Sequence, residues 1–285
     1  MRRGASGALN LSCGQDVRFD QNMPPPASSP TWRILVTPPA SGVENMALDE
    51  ALMDRARATG EWVLRIYSWL APTLSFGRNQ TALGRYDIER IRDRGLDVVR
   101  RPTGGRSILH HREITYSVTA PLADSGDLRE SYNRINGILM GGLRRLGVQV
   151  RMAGRTSRAS LPGAAPCFDE PAEGELMLGT RKLAGSAQWR ADGALLQHGS
   201  ILTHDDQSSL VELMVDARNG IAPPATLAEV LANVPSPATF AEALAASIED
   251  AEDMRPLDLV LDDAVRARTA ALVVRYLDAA WTWRR

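Results

Sequence analysis

From about residue 31 to 204 the chain alternates short strand-patterned runs with two longer helices, each opened by its own capping box, and after Asp205 the strand pattern stops. Ser41 and Glu44 form the first S-x-x-E box, opening a helix to about Arg57 whose Val43, Met46, Ala47, Leu52 and Ala56 share one face. Asp127 and Glu130 form the second, and a long helix runs from there to about Leu146, where Gly147 stops it. Strands are expected over 32–36, 62–67, 73–76, into Arg100 and Arg101, then 107–110, 113–120, 148–152 and 194–203, with a hairpin of 175–178 and 181–189. A short helix is expected at 88–94. Stretches near 207–217, 226–233, 238–250 and 262–281 read as helical, separated by proline-containing breaks. Strands first and helices last predict an α+β chain, a mixed β-sheet with flanking helices and a helical C-terminal extension.

This divides the 285 residues into a main domain over 31–204 and an extension over 205–285. Residues 1–30 carry two arginines and PPPASSP without an apolar segment, and are expected to be a disordered tail, not a secretory signal. No apolar run approaches the roughly 20 residues that span a bilayer, so no membrane association is expected. A formal net charge of -1 lacks the basic field that holds nucleic acid. The two cysteines, Cys13 and Cys167, cannot build a disulfide framework, which points to the cytoplasm and leaves Cys167 as a free thiol. Of the 33 basic residues, 32 are arginine and one is lysine, Lys182. Lysine differs from guanidinium in its compact ammonium, whose protonation is readily shifted by burial, so a chemical need for an amine at 182 is expected.

Three stretches carry candidate chemistry. In Arg100-Arg101-Pro102-Thr103-Gly104-Gly105-Arg106, paired glycines admit close backbone approach and left-handed angles, among N–H groups and arginines that suit an anion or a carbonyl oxygen. His110 and His111 follow on a strand, where adjacent side chains face opposite sides, so at most one serves a given site. Pro166-Cys167-Phe168-Asp169 ends a polar loop with a cysteine, a nucleophile if a nearby cation favours its thiolate. Lys182-Leu183-Ala184-Gly185-Ser186-Ala187 sets small residues along a strand, where a substrate chain or another backbone can lie close.

Together these stretches resemble the biotin/lipoate protein ligase superfamily: RRPTGGRSILHHREITYSV (100–118), TRKLAGSAQ (180–188), LQHGSIL (196–202) and NMALDEAL (45–52), in that order. The PCFD element with TGGR and GSAQ looks like the family's cysteine-dependent octanoyltransferase branch, LipM, and the H-x-E-x-T-Y-S run from His111 through Glu113 and Thr115 to Ser117 favours it over the related amidotransferases. The resemblance implies that 31–204 is an acyltransferase catalytic domain. It implies Cys167 as nucleophile, with Lys182 directed at the acyl carbonyl, and a substrate site of Arg101, Thr103, Gly104, Gly105, Arg106, His110, Gly185, Ser186, Ala187 and His198. Acylated acyl carrier protein would be the donor and a lipoyl domain or glycine cleavage H protein the acceptor, steered by Arg100, Arg101, Arg106 and Arg181, with no cofactor and no metal. Two departures matter: Arg106 stands where ATP-using ligases of the family have a third glycine, and His111 where an aspartate is common. The rival expectations are an ATP-dependent lipoate ligase with Cys167 incidental, and a non-catalytic protein that binds acyl-carrying domains.

Overall fold

A computed structural model describes residues 30–154, 168, 174–216 and 222–284. The strands are β1 (Trp32–Val36), β2 (Trp62–Tyr67), β3 (Thr73–Phe76), β4 (Asp97–Arg100), β5 (Ile108–His110), β6 (Glu113–Pro121), β7 (Arg151–Met152), β8 (Leu176–Leu178), β9 (Arg181–Ala191), β10 (Ala194–Leu202) and β11 (Leu257–Asp258). The helices are α1 (Gly42–Thr59), α2 (Ile88–Asp93), α3 (Leu128–Arg145), α4 (Pro237–Glu252), α5 (Asp263–Leu277) and α6 (Ala279–Thr282). Eight strands form one sheet in the order β11-β1-β2-β6-β10-β9-β8-β7, and β4-β3-β5 form a second. Parallel pairing of β11, β1 and β2 gives way to antiparallel pairing from β2 onward, the mixed sheet expected.

Both capping boxes are made. The Ser41 hydroxyl accepts from the Glu44 N–H while the Glu44 carboxylate accepts from the Ser41 N–H, and Asp127 and Glu130 do the same at α3. Alternation along β6 then sorts the layers. Ile114, Tyr116 and Val118 face a core built with Ile135, Ile138 and Leu139 of α3 and Phe240 and Leu244 of α4. The opposite face of the sheet carries α1, on which α5 packs through Leu52, Val265, Leu272 and Tyr276. Gly142 lets α4 approach α3, since a Cβ there would stand 2.5 Å from Leu244 Cδ2.

Some expectations are revised. Residues 148–150 are not strand: the Val148 N–H bonds the Leu143 carbonyl at the end of α3, leaving Arg151–Met152 as a short edge. The 226–233 stretch holds a single 3-10 turn, Leu227–Glu229, and Gln207–Leu213 is likewise 3-10. Beyond residue 205 the chain is helical as expected, but it also supplies β11 to the main sheet and α4 and α5 to its two faces. Its segment 281–284 reaches under the second sheet, where fully buried Arg100 donates to the carbonyls of Trp281, Thr282 and Arg284, and Trp281 Nε1 donates back to the Arg100 carbonyl. No helix among the described residues is long and apolar enough to cross a membrane.

Candidate active site

The loop between β4 and β5, residues 101–107, lies where the two sheets meet, and a cavity of about 200 Å³ opens between it and the β6, β9 and β10 strands. Gly77, at the end of β3, permits this approach: a Cβ there would fall 1.9 Å from the Gly105 carbonyl oxygen. Gly105 itself has φ +93°, in the region that favours glycine. The cavity's deeply buried lining is Met46, Tyr67, Trp69 and Thr115; its more exposed lining is Gly105, Arg106, Ser186 and Ala187.

Of the residues expected at the site, Arg101, Gly105, Arg106, His110, Gly185, Ser186, Ala187 and His198 line this cavity. Thr103 is buried beside it, its hydroxyl 2.7 Å from His198 Nε2, and Gly104 offers its carbonyl to the Arg101 guanidinium. His110 faces the cavity while its neighbour His111 is exposed and pairs with Asp206 at 3.5 Å, as strand alternation requires. Arg100 and Arg101 do not present a steering surface: both are buried, and their guanidinium groups hold backbone carbonyls. Arg181 is exposed and paired with Glu229.

Lys182 is 3 % exposed, with its Nζ 2.6 Å from Glu175 Oε1 and 4.7 Å from the centroid of the Phe168 ring. Its carboxylate partner Glu175 lines the cavity. Phe168 packs with Ile108 and Leu202. Cys167 and Cys13 lie outside the described residues. Among the described residues no group of three or more His, Cys, Asp or Glu is arranged to hold a metal.

Two buried carboxylates were not among the expected site residues, although Glu113 belongs to the run that begins at His111 and Asp49 to NMALDEAL. Asp49 of α1 accepts from Arg65 Nη1 at 2.8 Å, from the Ser117 hydroxyl at 2.7 Å and from the Tyr67 hydroxyl at 3.0 Å, and lies 3.1 Å from His198 Nδ1. Burial pushes its carboxyl up, but His198, Arg65 and Ser117 outweigh that and hold it below the usual value. Glu113 of β6 receives Trp69 Nε1 at 3.2 Å and the Thr115 and Ser200 hydroxyls at 2.6 and 2.7 Å, with His110 Nδ1 at 2.8 Å. Burial raises its carboxyl and the His110 ring with these donors lowers it, the lowering prevailing. Burial depresses His198 below its ordinary 6.5 against the opposing pull of Asp49. The signal that could have exposed this site is a polar period of two: Glu113, Thr115 and Ser117 share one face of β6, opposite His198 and Ser200 in the register of β10.

These three groups predict acid sensitivity. Each binds fewer protons folded than unfolded, so stability is full above about pH 6.5, declines first as pH falls below that value through His198, and declines further below about pH 4 through the carboxyls. One proton contributes a slope of at most about 1.4 kcal/mol per pH unit. Urea midpoints measured from pH 7 to 3 should show it, with His198→Asn flattening the upper part and, because His198 also holds the Asp49 carboxyl down, weakening the lower part; an unaltered profile in that variant rules out His198 as the source.

A family model described as lipoyl protein ligase A/B catalytic domain matches residues 41–249. An octanoyltransferase LipM of Kyrpidia tusciae is 44 % identical over 194 residues, which is 65 % of this chain and 70 % of that protein. The octanoyltransferase LipM of Staphylococcus aureus is 37 % identical over 194 residues, again 65 % and 70 %. Among solved structures, a lipoate-protein ligase A bound with ATP aligns with a TM-score of 0.72 at 22 % identity, covering 90 % of this chain and 98 % of that one. A bi-partite lipoate protein ligase from Thermoplasma acidophilum gives 0.72 at 18 %, covering 89 % and 96 %. At these identities the two structures are likenesses of fold.

Proposed function

The chain belongs to the lipoyl protein ligase A/B catalytic domain family, and from that premise we propose that it is an octanoyltransferase of lipoate biosynthesis that passes the acyl group through a thioester on Cys167. The observation that carries the covalent route is the setting of Lys182: buried, paired with a carboxylate on the cavity wall, and facing the ring of Phe168, the sequence neighbour of Cys167.

In the first step the Cys167 thiolate attacks the carbonyl carbon of an octanoyl thioester on acyl carrier protein. A new C–S bond forms, the donor's C–S bond breaks, and the carrier leaves as a thiolate that takes from solvent the equivalent of the proton Cys167 gave up on ionising. In the second, the neutral amine of a lysine on a lipoyl domain, or on glycine cleavage H protein, attacks the acyl-enzyme. The amide C–N bond forms, the C–S bond breaks, and the thiolate returns as the amine proton passes to a base. Lys182 contributes positive charge toward the thiolate or the developing oxyanion, with backbone N–H groups near Gly104, Gly105 and Gly185 as further donors. His110 is a poor base in this arrangement, because Ser75 engages its Nε2 at 2.8 Å and Glu113 its Nδ1.

The acyl tail is held by burial. The roughly six methylenes of an octanoyl chain at about 0.8 kcal/mol each amount to about 5 kcal/mol, consistent with a cavity whose deep wall is Met46, Tyr67 and Trp69. Both partners are carrier domains, and the reaction is assigned to the cytoplasm. Incubation with octanoyl-acyl carrier protein followed by intact mass measurement tests the reading: an octanoyl adduct on the protein supports it, and its absence under conditions of turnover removes the covalent route.

Energy coupling separates this reading from an ATP-dependent ligase. Arg106 lines the cavity where a third glycine would leave room for an adenylate, so transfer is expected without ATP and ligation of free octanoate to be negligible. ATP-dependent attachment of free octanoate at a rate matching thioester transfer would overturn this.

A further inference from the structure

Two chains of buried polar groups converge on the same loop from opposite sides. In one, Arg101 Nη1 donates to the Ser75 hydroxyl at 3.1 Å, Ser75 Oγ lies 2.8 Å from His110 Nε2, and His110 Nδ1 lies 2.8 Å from Glu113 Oε1. In the other, Thr103 Oγ1 lies 2.7 Å from His198 Nε2, and His198 Nδ1 lies 3.1 Å from Asp49 Oδ2. One direction of donation runs consistently through both chains, with Glu113 Oε2 buried and without a hydrogen-bond partner among the described residues. Each ring gives its Nδ1 proton to a carboxylate, which makes each Nε2 an acceptor for a hydroxyl; the Ser75 oxygen then remains open to the Arg101 N–H.

The loop ends of both chains hold backbone. The Arg101 guanidinium fixes the Gly104 carbonyl at 2.9 Å and the Arg106 carbonyl at 2.6 Å, and the Thr103 carbonyl accepts from the Arg78 N–H at 2.7 Å. Asp49, Glu113 and Ser75 are all buried, and none of them lines the cavity. The rings between them do. We propose that Glu113 and Asp49 are positioning residues that set the geometry of loop 101–106, and with it the N–H groups offered to the acyl carbonyl, through these two carboxylate–imidazole–hydroxyl chains. The carboxylate ends of both chains are buried away from the cavity, so the anchoring of the rings is set by the fold.

The inference rests on the octanoyltransferase reading only for what the loop does; that the chains hold the loop is independent of it. Ser75→Ala cuts the first chain with little loss of volume, and Glu113→Gln keeps the shape of its end while removing its charge. Asp49→Asn does the same for the second chain, and Thr37, Asn45 and Asp49 share the guanidinium of Arg65, so its folding is checked first. Two measurements are made on the full chain: amide hydrogen exchange over residues 103–106, and the single-turnover rate of acyl-enzyme formation from octanoyl-acyl carrier protein across donor concentrations.

The expected result is exchange at those amides raised about tenfold or more in Ser75→Ala. The saturating rate is expected to fall roughly 10- to 100-fold with half-saturation by donor changed less than about threefold, as for a displaced catalytic group. Glu113→Gln should lie between Ser75→Ala and the unaltered protein. Unchanged exchange and unchanged saturating rate in both Ser75→Ala and Glu113→Gln would overturn the proposal, as would a loss confined to half-saturation. If the unaltered protein forms no acyl-enzyme, the octanoyltransferase reading fails and the assigned purpose of the loop fails with it, while the exchange data still decide whether the chains hold it.

Discussion

Cys167→Ala is expected to abolish octanoyl transfer and to leave no acyl adduct on the protein. Covalent catalysis divides one acyl transfer into two, and an alanine methyl can form neither bond, so the rate should fall to background, on the order of 10⁴-fold or more. The other cysteine, Cys13, lies in the segment before the first strand and outside every motif of the site. Intact mass spectra with octanoyl-acyl carrier protein should therefore show one adduct in the unaltered protein, mapped to the peptide holding Cys167, and none in the variant. Serine at 167 discriminates further: a hydroxyl is a far weaker nucleophile near neutral pH, and an ester formed slowly would still locate the reacting atom. An adduct on Cys13, or undiminished turnover in Cys167→Ala, removes the thioester mechanism.

Lys182→Ala is expected to slow acyl-enzyme formation by roughly 100- to 1000-fold, or about 3–4 kcal/mol, the usual loss when one placed electrostatic donor is removed from a site. Lys182→Arg should fail almost as badly. The ammonium occupies a 3 % exposed position against the Glu175 carboxylate and the Phe168 ring, and the larger planar guanidinium cannot take the same place without moving them. The chain uses arginine 32 times and lysine at this one position, which fits a requirement for a compact, titratable cation and not merely for charge. Breaking a buried pair can itself cost about 3–5 kcal/mol of stability, so thermal unfolding must accompany the kinetics, and rates are compared only where both proteins are folded. Acylation of Cys167 and its discharge to a lipoyl domain are followed separately. Near-normal rates for both steps in Lys182→Ala would make the lone lysine an accident of composition.

The elements that position the site were readable because they are local. Ser41 with Glu44 and Asp127 with Glu130 fixed where α1 and α3 begin, and the Gly104-Gly105 pair marked the loop that lines the cavity. What sequence spacing left hidden is long-range. The apolar face of α1 says nothing of Asn45, Asp49 and Glu50, and all three are buried, because their partners arrive from Arg65, Ser117 and His198 and from Arg275 and Tyr276 far along the chain. Arg100 and Arg101 read as a basic surface for the same reason: nothing local shows that backbone carbonyls will surround them. The strand expected over 148–152 shortened because its edge has β8 alone as a neighbour, and Val148 found its partner at the end of α3 instead.

The junction of Arg100 with the carbonyls of Trp281, Thr282 and Arg284 places a constraint on the order of events during synthesis. The first strands, α1 and the second sheet leave the ribosome early, but the residue from which the glycine loop departs is not fully coordinated until a segment more than 180 positions downstream has been made, folded and docked beneath it. Contacts of that sequence separation close late, after the local helices and hairpins. A nascent chain would thus carry its thiol and its lysine before it has a finished loop to bring an acyl group to them, and competence for acyl capture would mature only once segment 281–284 has docked.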